Sequence, residues 1–144
     1  MPFVESSAII VANESPYRTL AEFMAACREG PVIGSGGPDF SVWKFSLLGL
    51  LHAAGMDPKK AQWIETYSGE QGLANVLEGA AMVAPITMTD ARKFLRAGEA
   101  RALATMEDRR HAAFPEVPTV KEAIGIDWSA VSYTHLTLPT KRIV

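Results

Sequence analysis

The segment Val32-Ile33-Gly34-Ser35-Gly36-Gly37 is the most informative part of the sequence, because a short apolar strand here leads into a glycine-rich turn. A helix is predicted just beyond it, over residues 40–54, where apolar side chains recur at helical spacing. Free backbone N–H groups and a positive dipole at the start of such a helix bind anions, including carboxylates. The turn therefore indicates an anion site. A tight turn that needs glycine only for its backbone angles fits the same residues equally well.

Strands and helices alternate on both sides of this turn. Further apolar runs predict strands over residues 7–12, 62–67, 80–86 and 100–106. Further helices are predicted after Thr19, over residues 70–77, from Thr87 or Thr89 to residue 95, and over residues 120–124. Thr19 and Thr119 each precede a glutamate by three residues, which is typical of a capping box. This βαβα order predicts an α/β fold with a mainly parallel sheet and helices on both faces.

The composition is that of a globular protein and excludes several function classes. The chain has 144 residues, of which 48% are hydrophobic, and a formal net charge of −2. The weak negative charge argues against binding nucleic acid through bulk electrostatics. Because Cys27 is the single cysteine, an intrachain disulfide and a Cys-based zinc cluster are excluded. The sequence contains no catalytic or metal-binding motif, so we expect no catalytic residue, no metal and no cofactor. No apolar run approaches the roughly 20 residues that span a membrane, so we expect no direct membrane insertion.

The glycine-rich turn does not match known phosphate-binding motifs. Asp39 stands where a dinucleotide fingerprint has its third glycine, and no Gly-Lys-Ser/Thr follows as in a P-loop. Two further strand-to-helix turns, around Ser68 and Thr87, fall at the carboxyl edge of the predicted sheet, where α/β proteins bind ligands. Three such turns predict a pocket for a small molecule. The residues leave two function classes open: a binding protein, and an α/β enzyme domain that binds a nucleotide or phosphate at residues 34–37.

Five segments, taken in order, resemble one known family. They are Ser15-Pro16-Tyr17-Arg18-Thr19-Leu20, Ile33-Gly34-Ser35-Gly36-Gly37, Tyr67-Ser68-Gly69, Arg96-Ala97-Gly98-Glu99-Ala100-Arg101-Ala102-Leu103-Ala104 and Phe114-Pro115-Glu116-Val117-Pro118-Thr119-Val120-Lys121-Glu122-Ala123. Over residues 4–128 the chain resembles the substrate-binding proteins of tripartite tricarboxylate transporters, also called Bug-type receptors. Each match is short, and their common order along the chain makes the resemblance specific.

The resemblance implies a type II periplasmic-binding-protein-like fold, in which two lobes close around a small carboxylated ligand. It implies a receptor, not an enzyme, with two kinds of partner: that ligand and the membrane subunits of the transporter. The full-length parent protein would be periplasmic. Ligand-binding residues carried over by position are Ser35, Gly36, Gly37, Asp39, Phe40, Ser41, Tyr67, Gly69 and Thr87. Phe40 and Trp43 stand where the family often has serine and histidine, which predicts a more apolar pocket.

The resemblance also divides the chain, which would hold mostly one lobe. Residues 1–12 would be a crossover strand from lobe one, residues 13–105 lobe two, and residues 106–130 a return segment toward lobe one. The sequence shows no signal peptide and no first-lobe ligand loop, so we expect a fragment, and a fragment without activity of its own is a third hypothesis. Residues 131–144 resemble a translated sequencing adapter and are predicted to be non-native. The alternative is a genuine terminal strand, since β-branched residues alternate there.

Overall fold

The computed structural model describes residues 6–129, and its elements alternate as the sequence predicts. The strands are β1 (Ala8–Ala12), β2 (Val32–Ser35), β3 (Ala61–Ile64) and β4 (Ala100–Thr105). The helices are α1 (Leu20–Glu29), α2 (Val42–Ala53), α3 (Gly69–Leu77), α4 (Met88–Arg96) and α5 (Val120–Ile124), with a 3₁₀ turn at Pro58–Lys60. The tail predicted to be non-native, residues 131–144, lies outside the described residues.

The strands form one continuous sheet because residues 82–87, here called the bridging segment, join two strand pairs. β2 and β3 pair in parallel, and β1 and β4 pair antiparallel. Within the bridging segment, Val83 pairs with β2 in parallel and Ala84 pairs with β1 antiparallel. The order across the sheet is therefore β3, β2, bridging segment, β1, β4. Of these five, four run in one direction, as a mainly parallel sheet requires, and β1 runs the opposite way.

Apart from shifts of one residue, three differences from the sequence prediction each have a physical reason. α2 begins two residues later than predicted, because Ser41 has extended backbone angles and caps the helix. β3 ends at Ile64, before the predicted residue 67, since the next residues bond to the glycine-rich turn. The strand predicted over residues 80–86 forms only isolated bridges, because its first two residues donate to the carbonyl oxygen of Asn75 in α3.

Apolar side chains are buried on both faces of the sheet. The side chains of β1 alternate between two core clusters: Ile9 and Val11 belong to one, Ala8 and Ile10 to the other, and all four are 0% exposed. Such double burial is expected of a central strand between helical layers. The first cluster also contains side chains of α1, α2 and α5, and the second contains side chains of α3 and α4. The prediction of helices on both faces is thus confirmed.

A hydroxyl side chain caps each of the five described helices. The capping residues are Thr19, Ser41, Ser68, Thr87 and Thr119, and each oxygen accepts the N–H three residues further on. A cap of this kind contributes about 1 kcal/mol. The capping box predicted at Thr119 is confirmed, since Glu122 accepts the Thr119 N–H. At Thr19 the box is incomplete, because Glu22 accepts from Arg18 instead.

Glu122 stabilises the start of α5 while it is ionised. It accepts the Thr119 N–H and a hydrogen bond from Arg110, and these two interactions lower its pKa. A carboxyl whose pKa is lower in the folded protein than in the unfolded chain stabilises the fold at pH values above its pKa in the unfolded chain. That stability is lost as the pH falls through its pKa in the folded protein. We therefore expect Glu122→Gln to unfold more easily in urea at about pH 7 and to lose less stability on acidification to about pH 3. Glu116→Gln, in the preceding loop, is the control, and an identical acid profile in the two variants would contradict this role of Glu122.

Candidate ligand-binding site

Three loops meet at one edge of the sheet. The carboxyl ends of β2, β3 and the bridging segment lie there, and α2, α3 and α4 begin there. We call residues 35–41, 65–69 and 87 at this edge the rim. The first N–H groups of a helix lack partners within the helix and carry the positive end of its dipole. The three turns identified in the sequence therefore bring three helix N-termini to one rim.

Close packing requires glycine in the turn after β2. A Cβ on Gly36 would lie 2.8 Å from Ile86 Cγ2, and a Cβ on Gly37 would lie 2.6 Å from the ring of Trp43. A Cβ on Gly72 in α3 would lie 2.2 Å from the Gly36 Cα. Protein atoms thus fill the space beside the turn, so that a side chain at Gly36 or Gly37 would displace Ile86 or Trp43.

Hydrogen bonds tie this turn to β3 and the loop that follows it. The Thr66 N–H and the Trp63 Nε1–H both donate to the carbonyl oxygen of Gly37, each at 3.1 Å. The Asp39 N–H donates to the Glu65 carboxylate at 2.8 Å. Two of the three rim segments are therefore held together as one unit. Sequence reasoning did not select Trp63, Glu65 or Thr66, because no motif marks residues whose partners lie more than twenty positions away.

Ser35 is predicted to contact the ligand, but its side-chain hydroxyl forms hydrogen bonds within the protein. Its side chain is fully buried, its hydroxyl donates to the Ile64 carbonyl at 2.8 Å, and it accepts from Asn75 Nδ2 at 3.1 Å. A hydroxyl has a single hydrogen to donate. The structure therefore gives the Ser35 side chain a supporting position under the rim, and a ligand contact at Ser35 stays a prediction.

Asp39, also predicted to contact the ligand, pairs with a lysine that the sequence analysis did not select. Lys44 Nζ lies 2.6 Å from Asp39 Oδ1, and the lysine side chain is the less exposed of the two, at 23%. Lys44 lies in the first turn of α2, so the pair sits at the N-terminus of that helix. The lysine offsets the negative charge that Asp39 would otherwise present to an anionic ligand.

Ser41, Thr87 and Gly69 lie at the three helix starts. Ser41 and Thr87 cap α2 and α4, and each oxygen accepts one backbone N–H. Because each hydroxyl only accepts in this bond, its own hydrogen can still be donated to a further group. Gly69 opens α3 and is buried, and a Cβ there would lie 3.0 Å from Asp90 Oδ2. Ser41 and Thr87 therefore suit a hydroxyl contact, whereas Gly69 can offer only its backbone.

Phe40 and Tyr67 are the most exposed large apolar side chains of the rim. Phe40 is 85% exposed and Tyr67 is 93% exposed. They lie on the two segments that the Asp39–Glu65 and Thr66–Gly37 hydrogen bonds hold together. The rim therefore combines three helix N-termini with two exposed aromatic rings on adjoining segments.

Other features of the described residues bear less on a ligand site. Burial raises the pKa of the Cys27 thiol to about 12, so the side chain is an inert apolar residue, as its helical position predicts. Within residues 6–129, no group of three or more His, Cys, Asp or Glu side chains could hold a metal ion. The helices in that range are all too short or too polar to cross a bilayer. A cavity of about 430 Å³ lies apart from the rim, beside α5.

Comparison with solved structures finds the same architecture in solute-binding proteins. A TctC solute binding protein from Polaromonas, solved without ligand, is 25% identical and superposes with a TM-score of 0.80. MatC from Rhodopseudomonas palustris with bound malate is 20% identical, with a TM-score of 0.76. An R. palustris protein solved with adipate is 18% identical, with a TM-score of 0.78. Each match covers 87% of this chain and 42% of the other protein, so the chain spans less than half the length of these relatives.

Comparison with curated proteins finds no match. A sequence model described as the tripartite tricarboxylate transporter family receptor, TctC, matches residues 2–142. That match covers nearly the whole chain and includes the five segments that carry the resemblance seen in the sequence. The chain belongs to the TctC receptor family of tripartite tricarboxylate transporters.

Proposed function

We propose that this chain forms one lobe of an extracytoplasmic receptor that captures a small carboxylate between two lobes and delivers it to membrane transporter subunits. The observation that carries the proposal is the rim, where three helix N-termini and a tightly packed glycine turn share one edge. Such an edge favours a carboxylate without needing a basic surface. Malate in MatC and adipate in the R. palustris protein are both small carboxylates, which supports this choice of ligand class.

The path of the chain supports the proposed division into lobes. β1 runs opposite to the other strands, so the chain reaches the sheet at the rim edge, and β4 leaves at that same edge. The point where the chain enters the sheet lies next to the point where it leaves. Ala8 pairs with Thr105, and the Met106 N–H donates to the Ser7 carbonyl at 2.8 Å. A partner lobe attached through residues 1–12 and 106–130 would therefore face the rim, with the ligand between the lobes. Hinge closure would then enclose the ligand.

A titration of the isotope-labelled 144-residue chain with malate, adipate and ATP tests this function by nuclear magnetic resonance. We expect the two carboxylates to shift the backbone amides of Gly36, Gly37 and Gly69, with weak affinity because one lobe supplies only part of the ligand contacts. ATP should shift none of the three and should not be hydrolysed. Turnover of ATP, or rim shifts with ATP alone, would support the nucleotide-binding enzyme domain instead.

Two cap variants locate the binding site. Ser41→Ala removes a hydroxyl at the rim, and Thr19→Ala removes the equivalent cap of α1 at the opposite edge of the sheet. Both should lose about 1 kcal/mol of stability. Only Ser41→Ala should also weaken carboxylate binding, by about fivefold, which corresponds to one hydrogen bond. Equal affinity in the two variants would contradict a ligand contact at Ser41.

A further inference from the structure

We infer that the rim selects a monocarboxylate with a flat apolar body, held against Phe40 and Tyr67, over an aliphatic di- or tricarboxylate. The inference rests on the proposed function and narrows its ligand class. It comes from two independent observations on the rim: the exposure of the aromatic rings, and the balance of charge around them.

The two rings are presented on fixed backbone. The Tyr67 N–H donates to Gln71 Oε1 at 2.9 Å, and the preceding residue, Thr66, bonds to the glycine turn. Phe40 lies between Asp39, whose N–H is held by Glu65, and the cap of α2. An aromatic side chain loses little conformational freedom on binding when its backbone is already ordered. Since these rings are 85% and 93% exposed in this lobe, they contribute little to its core and are available to a ligand held at the rim.

The charges around the rings suit a single carboxylate. Lys44, in the first turn of α2, is paired with Asp39 at 2.6 Å, and Lys93 lies 3.6 Å from Glu70 at the start of α3. Glu65 adds a negative charge beside the turn. A first carboxylate can use the backbone donors, but a second one held by this same lobe would face like charges, which raise the free energy of binding.

The experiment compares phenylacetate with malate and adipate, again by amide titration of the 144-residue chain. We expect phenylacetate to bind more tightly than either dicarboxylate. Tyr67→Ala and Phe40→Ala should each weaken phenylacetate binding by about threefold to tenfold, the range of an aromatic contact, and should weaken malate binding by a clearly smaller factor. Tyr67→Phe keeps the ring and should retain the wild-type affinity. Because both wild-type rings are exposed, the alanine variants should fold, which their spectra would verify.

The outcomes separate this inference from the proposed function. If malate or adipate binds at the rim more tightly than phenylacetate, or if the alanine variants bind phenylacetate as wild type does, the inference is overturned and the carboxylate receptor stands. If no carboxylate shifts the rim amides, the proposed function fails and the inference fails with it. Tighter binding of phenylacetate that depends on both rings supports the inference.

Discussion

Gly72→Ala should lower the free energy of unfolding by about 3 kcal/mol, the upper part of the usual range for overpacking. The new Cβ would lie 2.2 Å from the Cα and 2.5 Å from the N of Gly36, and 2.8 Å from the carbonyl carbon of Ser35. These are backbone atoms, so no side-chain rotation can relieve the clash. Alanine is favoured over glycine in a helix by about 1 kcal/mol, which is too little to offset the displacement of α3.

Urea denaturation of Gly72→Ala and of Gly30→Ala measures this effect against a matched control. Gly30 has ample space, since its nearest atom would be the Ala26 carbonyl oxygen at 3.7 Å. Its φ of −145° is also open to alanine. We expect the stability of Gly30→Ala to lie within about 0.5 kcal/mol of wild type. A Gly72→Ala protein as stable as this control would show that α3 does not rest on the turn.

The same variant connects the fold to the site. Moving α3 away from Gly36 would shift Gly69, which opens that helix at the rim. Carboxylate binding should therefore weaken in Gly72→Ala under conditions where the protein is still folded. Gly72 touches no ligand in this scheme and acts as a positioning residue.

Local sequence patterns predicted the elements well, because the forces that set them are local. Helix starts follow from a hydroxyl residue whose oxygen reaches the N–H three residues on, so Thr19, Thr87 and Thr119 could be identified in the sequence. Strand order could not be obtained this way. The position of β1 depends on pairing with residues 84–87 and with β4, which are more than seventy positions away along the chain.

Long-range polar contacts explain the other gaps in the sequence prediction. The internal hydrogen bonds of Ser35 are one example, because its partners Ile64 and Asn75 are 29 and 40 positions away along the chain. Arg101 of β4 is a similar case, since its guanidinium donates to the carbonyl oxygens of Asn13, Ser15 and Tyr17 and fixes the loop before α1. No single-sequence pattern identifies such pairs, because they form only once the sheet has assembled.

Trp63→Ala should be the second most disruptive change, because this side chain supports the glycine turn from β3. Its ring packs against Gly34 and Gly36, and its Nε1–H donates to the Gly37 carbonyl. A buried tryptophan replaced by alanine costs about 3–5 kcal/mol, and the half-buried position of Trp63 places the expected loss near the lower limit. The turn would then lose both a packing surface and a hydrogen bond.

Trp63→Phe separates these two contributions. Phenylalanine keeps most of the packing surface and lacks the N–H, so its loss of stability should be about 1 kcal/mol, the net contribution of one hydrogen bond. Denaturation of both variants gives the two values, and amide hydrogen exchange reports on the turn itself. In Trp63→Ala the Thr66 amide, which donates to the Gly37 carbonyl, should exchange faster relative to the amides of β1 than it does in the wild type, and carboxylate binding should fall. If Trp63→Phe is as unstable as Trp63→Ala, the hydrogen bond to Gly37 stabilises the turn and the packing contributes little.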